Sequence, residues 1–390
     1  MKQFVKKLME GRAKEADLQK ASQAGTMIAC QSVGRPVWTP RRYDQLSQEG
    51  YHKNVIAYRA VNLISRGVAS VPWRLYEGSD ELSLHPLLDL LHAPSPSQAG
   101  AAFMESVTAY LLLAGNAYVE AVRFDNGEVA ELHTLRPDRV KVIPNADGTP
   151  AGYEYTVNGQ SRILKDVLHL KFFNPLNDWY GMSPLEAAAQ AIDQHNTVAG
   201  HNLALLQNGG RPSGALIVGG DPHDMPLTEE QRVDLKNTLQ SLYEGHQNAG
   251  RVMVLEGEFR WQEMGLSPRD LDFIEGKKLS AREIAQAYGV PPMLAGVPGD
   301  ATFSNYKEAR YHLWEDTVLP LLDHLIDEFN RWLCPAFGEH LRLGYHLDAI
   351  PALATRREEV WTKFASATFL TINEKRKAMG YPPIEGGDTL

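Results

Sequence analysis

The residues that could carry chemistry are few, and their spacing argues against bond making or breaking. Gly276-Lys277 comes closest to a nucleotide-binding P-loop, where amides between two glycines cradle phosphates and a hydroxyl after the lysine holds magnesium. Here Leu271 stands in place of the first glycine and Lys278 in place of the hydroxyl. The patterns GxGxxG, GxSxG, HExxH and CxxC are also missing. His195 and His201 fall on different faces of a helix and do not make a metal pair. His169 and His312 stand in no ligand pattern, and Asp323, Asp327 and Glu328 read as a solvated acidic face before a cation site. The glycines of residues 208–214, NGGRPSG, precede a strand and not a helix N-terminus, so they mark a crossing between elements rather than a phosphate loop. Lys277, Lys278 and Arg282 form a basic patch, read equally as a solvated face or as a contact for phosphates or protein. No enzyme, cofactor or metal is expected.

What positions these residues is legible in the helix ends. Ser267 is expected at an N-cap, with Pro268 at the first helical position and Asp270 three residues after the cap. That grammar satisfies orphan amides and leaves no N–H unpaired at the proline. Leu271, Ile274, Ala281, Ala285 and Tyr288 give a rough 3.6-residue stripe, Gly289 a stop, and Pro291-Pro292 a block to continuation. A second helix is predicted from Ser304 or Asn305 to Leu333. Pro320 inside it removes a hydrogen bond and predicts a kink at 316–319, the alternative being two helices joined at the proline. Ser183-Pro184-Leu185-Glu186 opens another helix with a full capping box, running to about Gln207 over roughly 36 Å. Its small residues predict close packing against neighbours.

At 390 residues the chain can bury a substantial core in two or three substructures. Its 43% hydrophobic and 22% charged residues are those of a globular protein. No apolar run approaches the ~20 residues that span a bilayer, so no membrane partner is expected. Residues 1–20 lack the apolar region and cleavage site of a signal peptide. Cys30 and Cys334 are only two and far apart, which fits a reducing compartment. The net charge of −9 argues against a tight nucleic-acid binder, because such affinity comes from basic groups displacing counterions. It permits a conduit, where each strong phosphate contact would act as a brake.

Residues 1–40 read as loosely structured. A helix from about 51 runs into a strand at 71–76, with helices at 85–91 and 101–114. Strands follow at 117–124, 128–132, 140–143, 153–157 and 167–172, several separated by Asn-Gly and Asp-Gly turns. This predicts an α+β fold with antiparallel hairpins. Between the two Ser-Pro helices lies a small α/β module, with strands at 215–218, 251–255 and 259–262 and a helix at 228–243. Beyond the proline helix come a strand at 341–347, helices at 356–369 and 373–380, and a disordered tail.

The chain resembles the portal proteins of long-tailed double-stranded DNA phages with lambda-like heads, from about Tyr51 to Gly387. The resemblance rests on an ordered series: ASVPWRLY (69–76), HPLLDLLHAP (85–94), LLLAGNAYVE (111–120), YGMSPLEAA (180–188), NGGRPSGALIV (208–218), NAGRVMVLEGEFRW (248–261), the stretch from SPRDLDFIE to SNYKEARYHLWEDTVLPLL, and NEKR (373–376). Ser95 departs from the family's frequent Pro-Asn-Pro, which touches a local turn only. A phage and a gene transfer agent are equally compatible hosts.

The resemblance implies an N-terminal arm (1–25), a wing (26–182 and 334–355), stem helices (183–207 and 267–289) flanking a clip (208–266), a tunnel loop (290–304), a kinked helix (305–333) and a crown (356–390). It implies a ring of twelve at one capsid vertex, a conduit for DNA packaging and ejection. Expected partners are the major capsid protein, the large terminase subunit, a head-tail adaptor and double-stranded DNA. Twelve helices at ~9 Å spacing would leave roughly 24 Å of bore. Gly296, Pro298, Gly299, Asp300, Ala301 and Thr302 would form a loop able to shift against DNA. Lys307 and Arg310 would give weak phosphate contacts beside Lys277, Lys278 and Arg282. Two other readings compete: a ring-forming adaptor or scaffold without a conduit role, and an α/β enzyme with an unfamiliar active site.

Overall fold

The computed structural model describes residues 38–146, 149–207, 214–218, 228–230, 233–234, 237, 259–263, 273–299, 303–378, 381 and 383–389. Contacts divide the chain into Met1–Trp38 and Thr39–Leu390, and every element described belongs to the second unit. The expected arm at 1–25, the strand at 251–255, the caps Ser267 and Asp270, and Asp300, Ala301 and Thr302 lie outside the described residues.

A short helix α1 (Tyr43–Leu46) passes into a π-helical turn, Ser47–His52. Asn54 then caps α2 (Val55–Ala69), its Oδ1 accepting from Ile56 N at 3.1 Å and Ala57 N at 3.2 Å. The α2 stripe Ala57, Ala60, Val61, Ile64 and Val68 is buried against α4 (Gly100–Ala114), which follows the short α3 (Pro86–His92). Strands β1 (Arg74–Glu77) and β2 (Asp80–Leu82) form a hairpin, and β1 also pairs antiparallel with the distant β11 (Leu341–Gly344).

After α4 come β3 (Asn116–Arg123), β4 (Val129–Leu135), β5 (Val140–Pro144), β6 (Pro150–Val157), β7 (Gln160–Leu164) and β8 (Val167–Lys171). They make two antiparallel sheets, β4-β3-β8 and β5-β6-β7. β3 is the central strand of its sheet and is buried from Asn116 to Ala121, so it shows no apolar–polar alternation. Tyr118, Leu135, Val140, Val142, Tyr153, Leu164 and Val167 form a second core shared by these sheets.

The chain continues through α5 (Pro184–Ala187), α6 (Ala189–Gln207), the antiparallel pair β9 (Gly214–Val218) and β10 (Phe259–Glu263), and α7 (Phe273–Ala287). α8 (Phe303–Leu313) and α9 (Leu319–Trp332) follow, then β11, α10 (Ala354–Ser366) and α11 (Ile372–Ala378). α9 buries Leu321, Leu322, Leu325, Ile326 and Phe329, the last edge-on to Trp73.

Several expectations are corrected. The helix from Ser183 is interrupted at Ala188, where no breaker residue stands; Leu185 in its first turn is fully buried and packs onto Gly50 of the π turn. Only Ser183's half of the capping box is in place, its Oγ accepting from Glu186 N at 3.0 Å, while the Glu186 carboxylate lies 3.7 Å from Arg41. The tail is held rather than loose: Asn373 Oδ1 accepts from Ile384 N at 2.8 Å, and its Nδ2 donates to Ile384 O and Asp388 Oδ1. The acidic cluster is the solvated face expected, with Asp323 and Asp327 exposed; Asp323 also accepts from Tyr345 Oη at 2.9 Å and Glu328 pairs with Arg331.

Two histidines are built into packed surroundings. His169 stacks on Tyr118 with ring centroids 4.3 Å apart, and its Nε2 meets Asn116 Oδ1 at 3.0 Å. Burial, with Lys171 nearby, pushes its pKa down to about 3. His195 is pushed down as well, first by burial and then by Lys277. The unfolded chain takes up these protons near pH ~6.5 and the folded chain only at lower pH. Stability is therefore full above that pH and falls as pH drops through it, by at most ~1.4 kcal/mol per unit for each histidine. Urea unfolding at pH 7.5, 6 and 5 is expected to show this loss, with a shallower slope for His169→Gln. A flat wild-type profile would contradict the assignment.

Candidate functional site

The candidate site comprises the helix pair α6–α7, the loop after α7, and the helices α8 and α9. α6 and α7 pack along one another. Asn54 ties α6 to α2: its Nδ2 donates to Asn196 Oδ1 at 3.0 Å and lies 3.2 Å from His195 Nδ1, while Asn196 Nδ2 donates to Glu49 O at 2.9 Å. His195 is thus a buried packing residue, 6% exposed. An Asn just before an apolar stripe is a cap signal that sequence reading could have used.

α7 ends in a Schellman motif. Gly289 is left-handed at φ 66°, Gly289 N donates to Gln286 O and Val290 N to Ala285 O, both at 2.9 Å. Pro291 and Pro292 then lead into a 3-10 turn, Pro292–Ala295, closed by Gly296 and by Val297 N donating to Pro292 O at 3.0 Å. Leu294, Ala295 and Val297 are buried, and Arg59 Nε reaches Leu294 O at 3.3 Å. Residues 290–297, Gly296 among them, therefore form an anchored element. Pro298 and Gly299 beyond it are exposed.

α8 does not join α9 directly. Trp314–Val318 form a π-helical turn, with Pro320 in the first turn of α9. A proline has no N–H for the carbonyl one turn back, and a widened turn absorbs that gap without breaking the helix. Trp314 and Val318 of this turn are buried. Thr317 Oγ1 donates to Gly289 O at 2.7 Å, fastening the end of α7 to the π turn. No sequence signal pointed to Thr317, because the contact depends on the widened register.

The five basic candidates are not gathered into one patch. Lys278 pairs with Glu275 at 2.6 Å, which holds the Glu275 carboxyl below its usual range, and Lys277 is half-buried on the side of His195. Arg282 is exposed and lines a groove of 440 Å³ with Pro292, Asn305, Glu308 and His312. Residues 305, 308, 309 and 312 are one face of α8, so helical spacing sends the exposed Lys307 and Arg310 to its other flank. His312 at the end of α8 and Glu315 and Asp316 of the π turn, all exposed, bring their donor atoms within 4.8 Å of one another, the one such trio among the described residues. His312 Nδ1 lies 3.3 Å from Asp316 Oδ2. No helix among the described residues is long and apolar enough to cross a membrane.

This mixed helix-and-sheet architecture is the portal fold. A portal protein of the HK97 family from Corynebacterium diphtheriae, 19% identical, has the same fold with a TM-score of 0.59, over 82% of this chain and 100% of that one. A profile for phage portal protein matches residues 56–380, and the chain belongs to that family. The portal protein of Enterobacteria phage HK97 is 26% identical over 345 residues, covering 85% of this chain and 79% of its own. Chains from the necks of gene transfer agent particles, and one from the native virion, are 42% identical. That of the empty particle, computed with C6 symmetry, has a TM-score of 0.71 and covers 91% of this chain and 98% of its own. That of the native particle, computed with C12 symmetry, gives 0.68, 90% and 97%.

Proposed function

We propose that this chain is the portal subunit of a tailed-phage or gene transfer agent particle. Twelve copies form a ring at one capsid vertex, and double-stranded DNA passes through it during packaging and ejection. The observation that carries this reading is the 42% identity with a particle-neck chain over nine-tenths of both sequences. In the assembled particle the ring meets the major capsid protein, docks the large terminase subunit while DNA enters, and afterwards holds a head-tail adaptor.

Residues 183–207 and 267–289 are the stem, an assignment supported by the packing of α6 on α7. The clip, 208–266, contains the β9–β10 pair. The wing joins 26–182 to 334–355, supported by the β1–β11 pairing, and 356–390 is the crown. Within the tunnel loop, 290–304, the anchored turn to Val297 is the fixed root, and Pro298, Gly299, Asp300, Ala301 and Thr302 are the part that shifts against DNA. Lys307 and Arg310 give weak phosphate contacts, with Lys277, Lys278 and Arg282 as further candidates, each few enough to permit sliding. In a producing cell, deletion of the gene is expected to yield heads without packaged DNA, with filling restored by the wild-type chain. DNA-filled heads in the deletion strain would refute the conduit role.

A further inference from the structure

Between β8 and α5 runs a loop, residues 172–183, whose course is fixed by its own side chains. Asn174 Oδ1 accepts from Leu176 N at 3.0 Å, and Asn174 Nδ2 donates to Tyr180 O at 3.0 Å. Asn177 Oδ1 accepts from Trp179 N at 2.9 Å and from Tyr180 N at 3.0 Å. Lys171 Nζ donates to Asp178 O, and Asn116 Oδ1 accepts from Gly181 N at 2.8 Å. On this locked backbone Phe173 is 85% exposed and Leu176 94%. Single exposed apolar residues are ordinary, but these two stand three residues apart, almost fully exposed, on a backbone that is already fixed. Phe173 also borders a groove of 520 Å³, lined by Leu112, Phe172, Pro184, Pro320 and Leu321 among others.

We propose that Phe173, Leu176 and this groove form a contact face for a neighbouring copy of the same chain. The proposal rests on the ring reading above. A cyclic ring gives every chain two neighbours through two different patches, and the native neck whose chain is 42% identical was computed with C12 symmetry. Each copy carries a net charge of −9, so copies repel at long range, and apolar lateral contact offsets that repulsion. The loop also runs directly into α5, where the proposed stem begins, which puts it beside the segment that ring closure brings near its neighbours. Pre-ordering matters here, because a loop already fixed loses little freedom on contact.

Both side chains are exposed, so Phe173→Ser and Leu176→Ser are expected to unfold like the wild type in urea. Each is expected to raise the concentration at which rings give way to monomers by about 10- to 100-fold, the range for burying one such side chain. Mass photometry across a dilution series reads this directly. A photo-crosslinking residue of apolar character in place of Leu176, in an otherwise wild-type chain at a concentration where rings form, is expected to give chain-to-chain adducts. Rings that assemble at the wild-type concentration in both variants, or that yield no chain-to-chain adduct, would overturn the contact face and leave the ring reading standing. A wild-type chain that stays monomeric at every concentration would overturn the ring reading itself, and this face with it.

Discussion

Gly181→Ala is expected to cost more than about 4 kcal/mol, enough to remove most of a typical domain's stability. A Cβ at Gly181 would overlap Gly115 O and lie 2.7 Å from both N and O of Phe172. All three atoms are backbone, so no side chain can swing aside. Gly115 is constrained in return: at φ 72° its own Cβ would lie 2.6 Å from Gly181 O. The crossing is also a hydrogen-bond junction. Asn116 Oδ1 accepts from Gly181 N and meets His169 Nε2, its Nδ2 donates to Ala114 O at 2.9 Å, and Phe172 N donates to Gly115 O at 3.0 Å. Moving either segment breaks several of these bonds in a buried setting, where each orphaned group costs about 1–3 kcal/mol. Soluble yield and urea unfolding measure the loss. A variant within 1 kcal/mol of wild type would mean that the two backbones are not in contact.

Gly289→Ala is expected to cost about 2–3 kcal/mol, from a left-handed backbone that disfavours a side chain and from loss of the Thr317 clasp. The added Cβ would lie 2.6 Å from Thr317 Oγ1. Thr317→Ala removes both the clasp and the obstruction, and alone is expected to cost about 1 kcal/mol. The two substitutions should therefore be non-additive, Gly289→Ala costing less when Thr317 is already Ala. Unfolding of the wild type, both single variants and the double variant completes the cycle. Additive losses would show that the end of α7 and the π turn are not coupled. Such coupling would tie the fixed loop root to the proline helix.

Local grammar made part of this legible. Ser183 sits at its N-cap and Gly289 at its helix stop as their residue types dictate, and five strands between 116 and 171 follow apolar runs and turn dipeptides. What the sequence hid depends on contacts between remote segments. β2 is short and polar, and β7 has apolar residues only at its end, so neither carries an alternating apolar signal; each is defined by its pairing partner. The Gly115–Gly181 crossing joins glycines that each read as an ordinary turn. Asn373 has no sequence mark that sets it apart from other helix-start asparagines, yet it holds the tail. Pro320 signalled a disturbance, but the π turn and its use of Thr317 follow from packing of Trp314 and Val318. Among the basic candidates, charge was readable and facing was not, since Arg282 and Lys307 differ only in which flank the fold turns to the groove.

Cryo-electron microscopy of the purified full-length chain, averaged without imposed symmetry, tests the conduit most directly. The account predicts closed rings, twelve-fold in the particle, with α6 and α7 lining a channel of roughly 24 Å. A ring whose centre is closed by ordered protein, or whose helix pair lies on the outer surface, would contradict it.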